Sequence, residues 1–130
     1  MRTRFLLDTS VCVPVLRGRA SSQQFPAAAE TAVSSVVAAE LWAGAHKAER
    51  RQEQMASVGE FLEMFEVLDF SHEAARHYGE IRAELERSGN SIGPLDLLIA
   101  AHARSLGVAL ITANAGEFRR VKGLKLLPWK

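Results

Sequence analysis

The chain has 130 residues, a formal net charge of +1 and a hydrophobic content of 48%. These values argue against a disordered polymer and a strongly basic nucleic-acid-binding chain, and the length is typical of one domain, 1–130. Cys12 is the only cysteine, which excludes an intrachain disulfide and a zinc cluster built from cysteines. No signal peptide and no membrane-spanning apolar run is recognisable, so we expect a soluble cytoplasmic protein.

Short apolar runs alternate with longer helical stretches along the chain. Strands are predicted at residues 5–7, 31–35, 66–70 and 108–112, and GLKLLPW near the end is a possible edge strand. Helices capped by Ser10, Ser35 and Ser71 are predicted for residues 11–16, 36–48 and 72–87, and further helices for 51–65 and 94–107. NAGEF at 114–118 forms a tight turn or a short helix, and residues 23–30 stay ambiguous. This order predicts an α/β fold with three α/β/α layers and a mainly parallel central sheet.

Polar residues directly follow two of the predicted strands. Asp8 comes after the strand FLL, and Asn114 lies just past the strand VALIT. In parallel α/β sheets, ligands bind beyond the carboxyl ends of the strands. We therefore expect Asp8 and Asn114 at the same edge of the sheet.

Two further acidic residues lie in apolar helical surroundings. The residues three and four positions from Glu40 are all apolar or small, and Asp96 lies in the apolar stretch IGPLDLLIAAHA. A buried carboxylate needs a partner, and the nearby sequence places no basic residue where it could pair with Asp8, Glu40 or Asp96. A divalent cation would neutralise all three, and oxygen ligands favour Mg²⁺ or Mn²⁺ over Zn²⁺.

Each polar residue taken alone also has a structural interpretation. The segment 8–10 can cap the first helix, and Asp96 can stabilise a helix dipole. Glu40 can lie half exposed on an apolar surface, and Asn114 can be a turn residue. Glu117 is either an additional acid near the sheet edge or a solvated residue of the final turn. The combination favours the metal hypothesis, because capping does not explain Glu40.

Four segments, in order, resemble the motifs of the PIN-domain ribonucleases and, within them, of the VapC toxins of bacterial toxin–antitoxin pairs. They are FLLDTS, VSSVVAAELWAGA, IRAELERSGNSIGPLDLLIAAHA and LITANAGEFRRVKGL. The resemblance covers nearly the full length. It implies a Mg²⁺- or Mn²⁺-dependent endoribonuclease in which a metal-activated water attacks a phosphodiester of RNA, often in a structured RNA such as tRNA. It also implies a homodimer and a small antitoxin that blocks the acidic pocket, in some cases within a larger toxin–antitoxin complex.

The resemblance also assigns roles by position. Metal-binding roles fall on Asp8, Glu40 and Asp96, and catalytic roles on these three and Asn114. Many members carry a fourth acid in place of Asn114, so the number of bound metal ions, one or two, is left open. Supporting roles are expected for Ser10, Thr112 and Glu117. The best-placed candidates for RNA phosphate contacts are Arg17, Arg19, Arg119 and Arg120, although a solvated surface of mixed charge would also explain such residues.

Two other functions compete with this hypothesis. The main alternative is a binding or dimerisation module that keeps the PIN-like fold but has lost the chemistry. It predicts no magnesium-dependent RNA cleavage. A phosphatase with an aspartyl nucleophile is disfavoured, because Ser10 occupies the place of its second aspartate and Glu40 is left unexplained.

Overall fold

The computed structural model describes residues 2–129. Its strands are β1 Phe5–Leu7, β2 Thr31–Ser34, β3 Glu66–Leu68, β4 Ala109–Thr112 and β5 Lys125–Pro128. Its helices are α1 Thr9–Leu16, α2 Ser35–Lys47, α3 Arg51–Glu63, α4 His72–Ser88, α5 Pro94–Leu106 and α6 Ala115–Phe118. The ambiguous stretch 23–30 contains the end of one short 3₁₀ helix, Ser22–Gln24, and all of a second, Ala28–Glu30. The predicted elements are confirmed, with shifts of a few residues at their ends.

The strands form one five-stranded sheet in the order β3-β2-β1-β4-β5. Every pairing in the sheet is parallel, which confirms the predicted α/β fold with a mainly parallel sheet. The chain first adds β2 and β3 on one side of β1, and then adds β4 and β5 on its other side. Right-handed crossovers place α1, α2 and α3 on one face and α4, α5 and α6 on the other, giving three layers.

The gap between β1 and β4 is the point at which the order of the strands reverses. In doubly wound sheets, a crevice for ligands opens beyond the carboxyl ends of the strands at this reversal. Asp8 follows β1, and Asn114 lies two residues after β4. The topology therefore puts both residues at the binding edge, as the sequence predicted.

The core is made from the central strands and the inner faces of the helices. Leu6 and Leu7 of β1 are completely buried, as are Ala100 and Ala101 of α5. Burying a large aliphatic side chain contributes about 1.5–3 kcal/mol to folding, so this layer fixes the position of the strand ends. No helix within residues 2–129 combines the length and the apolar character needed to cross a membrane.

Serines cap two of the α-helices, and the predicted cap of α2 is wrong by one residue. Ser71 caps α4 as predicted, accepting a hydrogen bond from the backbone N–H of Ala74 at 3.1 Å. Helix α2 is instead capped by Ser34, whose Oγ accepts the N–H of Val36. Ser35 is the first residue of α2, and its hydroxyl oxygen accepts the N–H of Phe70 at 3.0 Å. This contact lets Ser35 link α2 to the chain that leaves β3.

Candidate active site

Asp8 is a buried carboxylate at the end of the central strand. Its side chain is only 2% exposed, and its backbone N–H donates to the carbonyl of Ile111 at 2.9 Å. Asp8 occupies the N-cap position of α1, which contradicts the prediction that Ser10 is the cap. The Asp8 carboxylate nevertheless makes no capping hydrogen bond to the helix backbone. The simple capping interpretation therefore does not account for its side chain.

Two hydroxyl groups hold the Asp8 carboxylate instead. Asp8 Oδ2 accepts hydrogen bonds from Ser10 Oγ at 2.7 Å and from Thr112 Oγ1 at 2.8 Å. Each hydroxyl is itself oriented, since Ser10 Oγ accepts the N–H of Ala113 and Thr112 Oγ1 accepts the N–H of Asn114. Ser10 and Thr112, for which the sequence predicted supporting roles, thus both contact Asp8. Because both donors are neutral, they position Asp8 without cancelling its charge.

Glu40 is joined to the same region through α1. It lies half-buried in the second turn of α2, and its Oε1 accepts a hydrogen bond from Thr9 Oγ1 at 2.7 Å. Thr9 directly follows Asp8, so this contact ties the Glu40 carboxylate to the segment that carries Asp8. Sequence analysis did not single out Thr9, whose place next to Asp8 was the only available signal.

Asp96 and Glu117 bring two more carboxylates to this edge. Asp96 lies half-buried in the first turn of α5, and Glu117 lies in α6. Glu117 Oε1 accepts the backbone N–H of Gly93, the residue immediately before α5, at 3.0 Å. Burial of Asp96, together with the charges of Asp8, Glu117 and Glu40, raises the pKa of Asp96 from 3.8 to about 6. Asp96 therefore lies within electrostatic range of each of the other three carboxylates.

These acids have no basic partner in the part of the chain that is described. None of the ion pairs among residues 2–129 includes Asp8, Glu40, Asp96 or Glu117. Within the same residues, no three or more His, Cys, Asp or Glu side chains are arranged as a group that could hold a metal ion. Two charges 4 Å apart repel by about 4 kcal/mol at an effective dielectric constant of 20, which favours separated carboxylates. Ligation of one ion by three of them therefore requires side-chain movement.

Asn114 and the four candidate arginines differ in their contacts. Asn114 is exposed at the N-cap position of α6, where its side chain makes no capping hydrogen bond. Arg17 is exposed at the end of α1 and lines a cleft together with Glu40. Arg120 donates to the carbonyl of Ser91 at 3.0 Å. The remaining two candidates are exposed: Arg19 and Arg119.

Comparison with known proteins gives the family. The model of the PIN domain family matches residues 5–124. The chain belongs to the PIN domain family. A tRNA(fMet)-specific endonuclease VapC from Shigella flexneri is 39% identical over 129 residues, which cover 97% of this chain and 98% of that protein. The Ribonuclease VapC2 of Haemophilus influenzae strain KW20 is 38% identical, with the same coverage. These relatives place this PIN domain among the VapC ribonucleases, as the sequence motifs predicted.

Solved structures agree with this assignment. The DNA-bound VapBC complex from Salmonella typhimurium contains a chain with a TM-score of 0.94 and 36% identity, covering 98% of this PIN domain and 99% of that chain. VapBC2 from Rickettsia felis, bound to a DNA fragment from its promoter, matches with a TM-score of 0.88 and 34% identity, covering 98% and 100%. The PIN-like fold predicted from the sequence is thereby confirmed.

Proposed function

We propose that the chain is a Mg²⁺- or Mn²⁺-dependent endoribonuclease of a toxin–antitoxin pair. The observation that carries this proposal is that Asp96 lies within electrostatic range of Asp8, Glu117 and Glu40, and that none of the four acids has a cationic partner among residues 2–129. They come from separate parts of the fold: Asp8 after β1, Glu40 in α2, Asp96 in α5 and Glu117 in α6. Family membership supports the same chemistry, since the relatives are named as endonucleases and ribonucleases.

The donor chemistry of this edge fits a hard divalent cation. Carboxylate oxygens are the ligands that Mg²⁺ and Mn²⁺ prefer, and burial together with the neighbouring charges of Asp8, Glu117 and Glu40 raises the pKa of Asp96. The residues that would hold the ion are Asp8, Glu40 and Asp96, with Glu117 as the fourth acid. When bound there, the ion supplies Lewis-acid chemistry, lowering the pKa of water and stabilising charge that develops on a phosphate.

Hydroxyl groups of the protein orient two of these carboxylates. The hydroxyls of Ser10 and Thr112 hold Asp8 in one orientation, and Thr9 does the same for Glu40. With a pKa of about 6, Asp96 carries a proton in part of the population just below neutral pH. Metal binding must release that proton, so activity is expected to fall on the acid side of pH 6.

The substrate and partners follow from the relatives. Since two of them are named tRNA(fMet)-specific endonucleases, we propose tRNA as the first RNA to test. The solved VapBC complexes support a small antitoxin as a protein partner. We further propose a homodimer of this chain, a 1–130 single domain per protomer and a cytoplasmic location. Asn114, Arg19, Arg119 and Arg120 stay candidates for catalysis or RNA contact.

Cleavage of purified tRNA by the purified protein tests the proposal. We expect cleavage with Mg²⁺ or Mn²⁺, none with EDTA, and a loss of at least a hundredfold in Asp8→Asn and Asp96→Asn. Glu63→Gln, which removes an exposed acid of α3, is the matched control and should cleave normally. Wild-type rates in both aspartate variants would refute the assignments. If the wild type cleaves no RNA in a total cellular pool with either metal, the chain is a non-enzymatic PIN-like module.

A further inference from the structure

Two side chains at α6 hold the connection between α4 and α5. Glu117 of α6 accepts the backbone N–H of Gly93 at 3.0 Å, and Arg120, two residues after α6, donates from Nη1 to the carbonyl of Ser91 at 3.0 Å. One side chain accepts and the other donates, and they lie three positions apart in sequence. The segment 91–93 is therefore held at both of its ends.

The held segment determines where α5 begins. Gly93 is the N-cap residue of α5 and Pro94 is its first residue, but no side chain caps this helix. Helices α2 and α4, by contrast, are capped by Ser34 and Ser71. The first backbone N–H groups of a helix have no partner inside the helix, so an uncapped start is weakly fixed by the helix itself. Contacts to the preceding segment therefore have to fix the start of α5.

Asp96 depends on this arrangement more than two of the other acids do. Hydroxyl groups orient the carboxylates of Asp8 and Glu40. None of the hydroxyl groups in residues 2–129 donates to Asp96. A Cβ added to Gly93 would lie 3.7 Å from Asp96 Oδ2, so the carboxylate lies directly beside the held segment. The position of Asp96 is therefore set through the backbone at the start of α5.

We propose that Arg120 is a positioning residue of the acid site, which places Asp96 for metal binding. Its hydrogen bond to Ser91, together with the contact of Glu117, fixes the segment 91–93 and with it the first turn of α5. This role differs from the RNA phosphate contact that the position of Arg120 in the sequence suggests. The proposal rests on the ribonuclease function proposed above, because that function gives Asp96 its metal-binding role.

An RNA phosphate contact is the competing role for Arg120. The side chain is exposed, and a guanidinium presents five N–H donors, so one bond to a carbonyl does not exhaust it. The geometry favours positioning, because Arg120 and Glu117 engage the same segment with complementary groups. A residue that serves only RNA needs no such partner in the protein.

The two roles predict different changes in Mg²⁺ binding when the side chain of Arg120 is removed. Loss of a positive charge alone makes the surroundings of the acids more negative, which leaves Mg²⁺ binding unchanged or tightens it. Loss of a positioning contact lets Asp96 move, which weakens Mg²⁺ binding, as is typical when a group that supports a metal ligand is removed. The direction of the change in Mg²⁺ affinity therefore separates the two roles without any RNA.

The experiment compares Arg120→Ala with Arg119→Ala, which removes the neighbouring exposed arginine and changes the net charge by the same amount. By calorimetry with Mg²⁺ alone, we expect the Kd of Arg120→Ala to rise about tenfold and that of Arg119→Ala to stay within about twofold of the wild type. In EDTA, amide hydrogen exchange of Gly93 should become about fivefold faster in Arg120→Ala only. Both variants should fold, because both side chains are exposed.

Measurements with tRNA test the competing role directly. In EDTA, the slope of log affinity against log salt should be the same for Arg120→Ala as for the wild type, whereas loss of a phosphate contact would reduce it by about 0.7–0.9. At a Mg²⁺ concentration that just saturates the wild type, kcat of Arg120→Ala should fall about fivefold or more, with KM within about twofold. A higher Mg²⁺ concentration should restore part of the lost rate.

The outcomes separate this proposal from the proposed function. If Arg120→Ala binds Mg²⁺ as tightly as the wild type or more tightly, the positioning role is wrong and the ribonuclease function stands. A reduced salt slope together with normal Mg²⁺ binding would assign Arg120 to an RNA phosphate instead. A wild type that binds Mg²⁺ but cleaves no RNA refutes the ribonuclease function, while the Mg²⁺ affinity of Arg120→Ala still decides the role of this arginine.

Discussion

Replacing Asp96 by asparagine should stabilise the metal-free protein near neutral pH. Burial and the charges of Asp8, Glu117 and Glu40 raise the pKa of Asp96 from 3.8 to about 6. A raised carboxyl pKa means that the charged form is disfavoured by folding. Its contribution to stability is full below about pH 4 and is lost as the pH rises through 6. Asparagine keeps the shape of the side chain and carries no charge at any pH.

The magnitude follows from the difference between the two pKa values. A change from 3.8 to about 6 corresponds to about 3 kcal/mol in the free energy of unfolding. Because Asp96 is only half-buried, solvent screening reduces this to about 1–2 kcal/mol. For a chain of this length, we expect the Tm of Asp96→Asn to exceed that of the wild type by about 3–6 °C at about pH 7.5. At about pH 4.5 most of this difference should disappear, because the wild-type carboxyl is then protonated.

Thermal unfolding followed by fluorescence, in EDTA and at both pH values, is the assay. The control is Glu73→Gln in the first turn of α4, where Glu73 pairs with Arg76 at 3.7 Å. This variant should be slightly less stable than the wild type, because an ordinary first-turn acid stabilises its helix. A lower Tm for Asp96→Asn at about pH 7.5 would refute the reasoning and show that Asp96 acts as an ordinary helix-dipole residue. Added Mg²⁺ should raise the Tm of the wild type more than that of the variant.

Three further variants test other parts of the structure. Glu117→Gln removes one of the charges that raise the pKa of Asp96, so the acid limb of the pH–rate profile should move to lower pH. Thr112→Val removes a donor to the buried Asp8 and should weaken Mg²⁺ binding about 10–100-fold by calorimetry. His102→Ala removes a buried side chain and should cost about 2–4 kcal/mol in urea unfolding. Because burial lowers the pKa of His102, its stabilising effect is present above about pH 6.5 and declines as the pH falls.

The strand ends were predictable from sequence because local chemistry determines them. Phe5–Leu7 is a strand as predicted, and the carboxylate of Asp8 follows it without a spacer. Parallel strands share one carboxyl edge, so Asp8 and Asn114 could be placed together before any coordinates were known. The five-residue segment 114–118 was predictable as a turn or short helix for a similar reason. Its helix, α6, spans four residues and begins one residue after Asn114.

The partners of individual side chains were not predictable in the same way. Two adjacent serines, Ser34 and Ser35, are equally good caps by residue type, and only the packing of the chain after β3 assigns Ser35 to Phe70. Glu117 lies 24 residues from Gly93, and its contact depends on how α6 is placed beside α5. No local pattern carries that information.

The cleft beside Glu40 also arises only from tertiary packing. Arg17 and Arg50 are far apart in sequence and become neighbours of one cavity because α1, α2 and α3 lie on the same face of the sheet. Arg19, only two residues from Arg17, does not line it. Position in the sequence favours Arg17 and Arg19 alike as phosphate contacts, and it cannot tell which of the two lines a cavity.

The hydrogen bond between Asp8 and Thr112 has a consequence for the newly made polypeptide. These residues are 104 positions apart, and β1 lies between β2 and β4. A ribosome delivers the amino end first, so the carboxylate of Asp8 emerges long before the hydroxyl that orients it. Under the proposed function, the Asp8 carboxylate is therefore not oriented for metal binding until Thr112 has been synthesised and β4 has paired with β1.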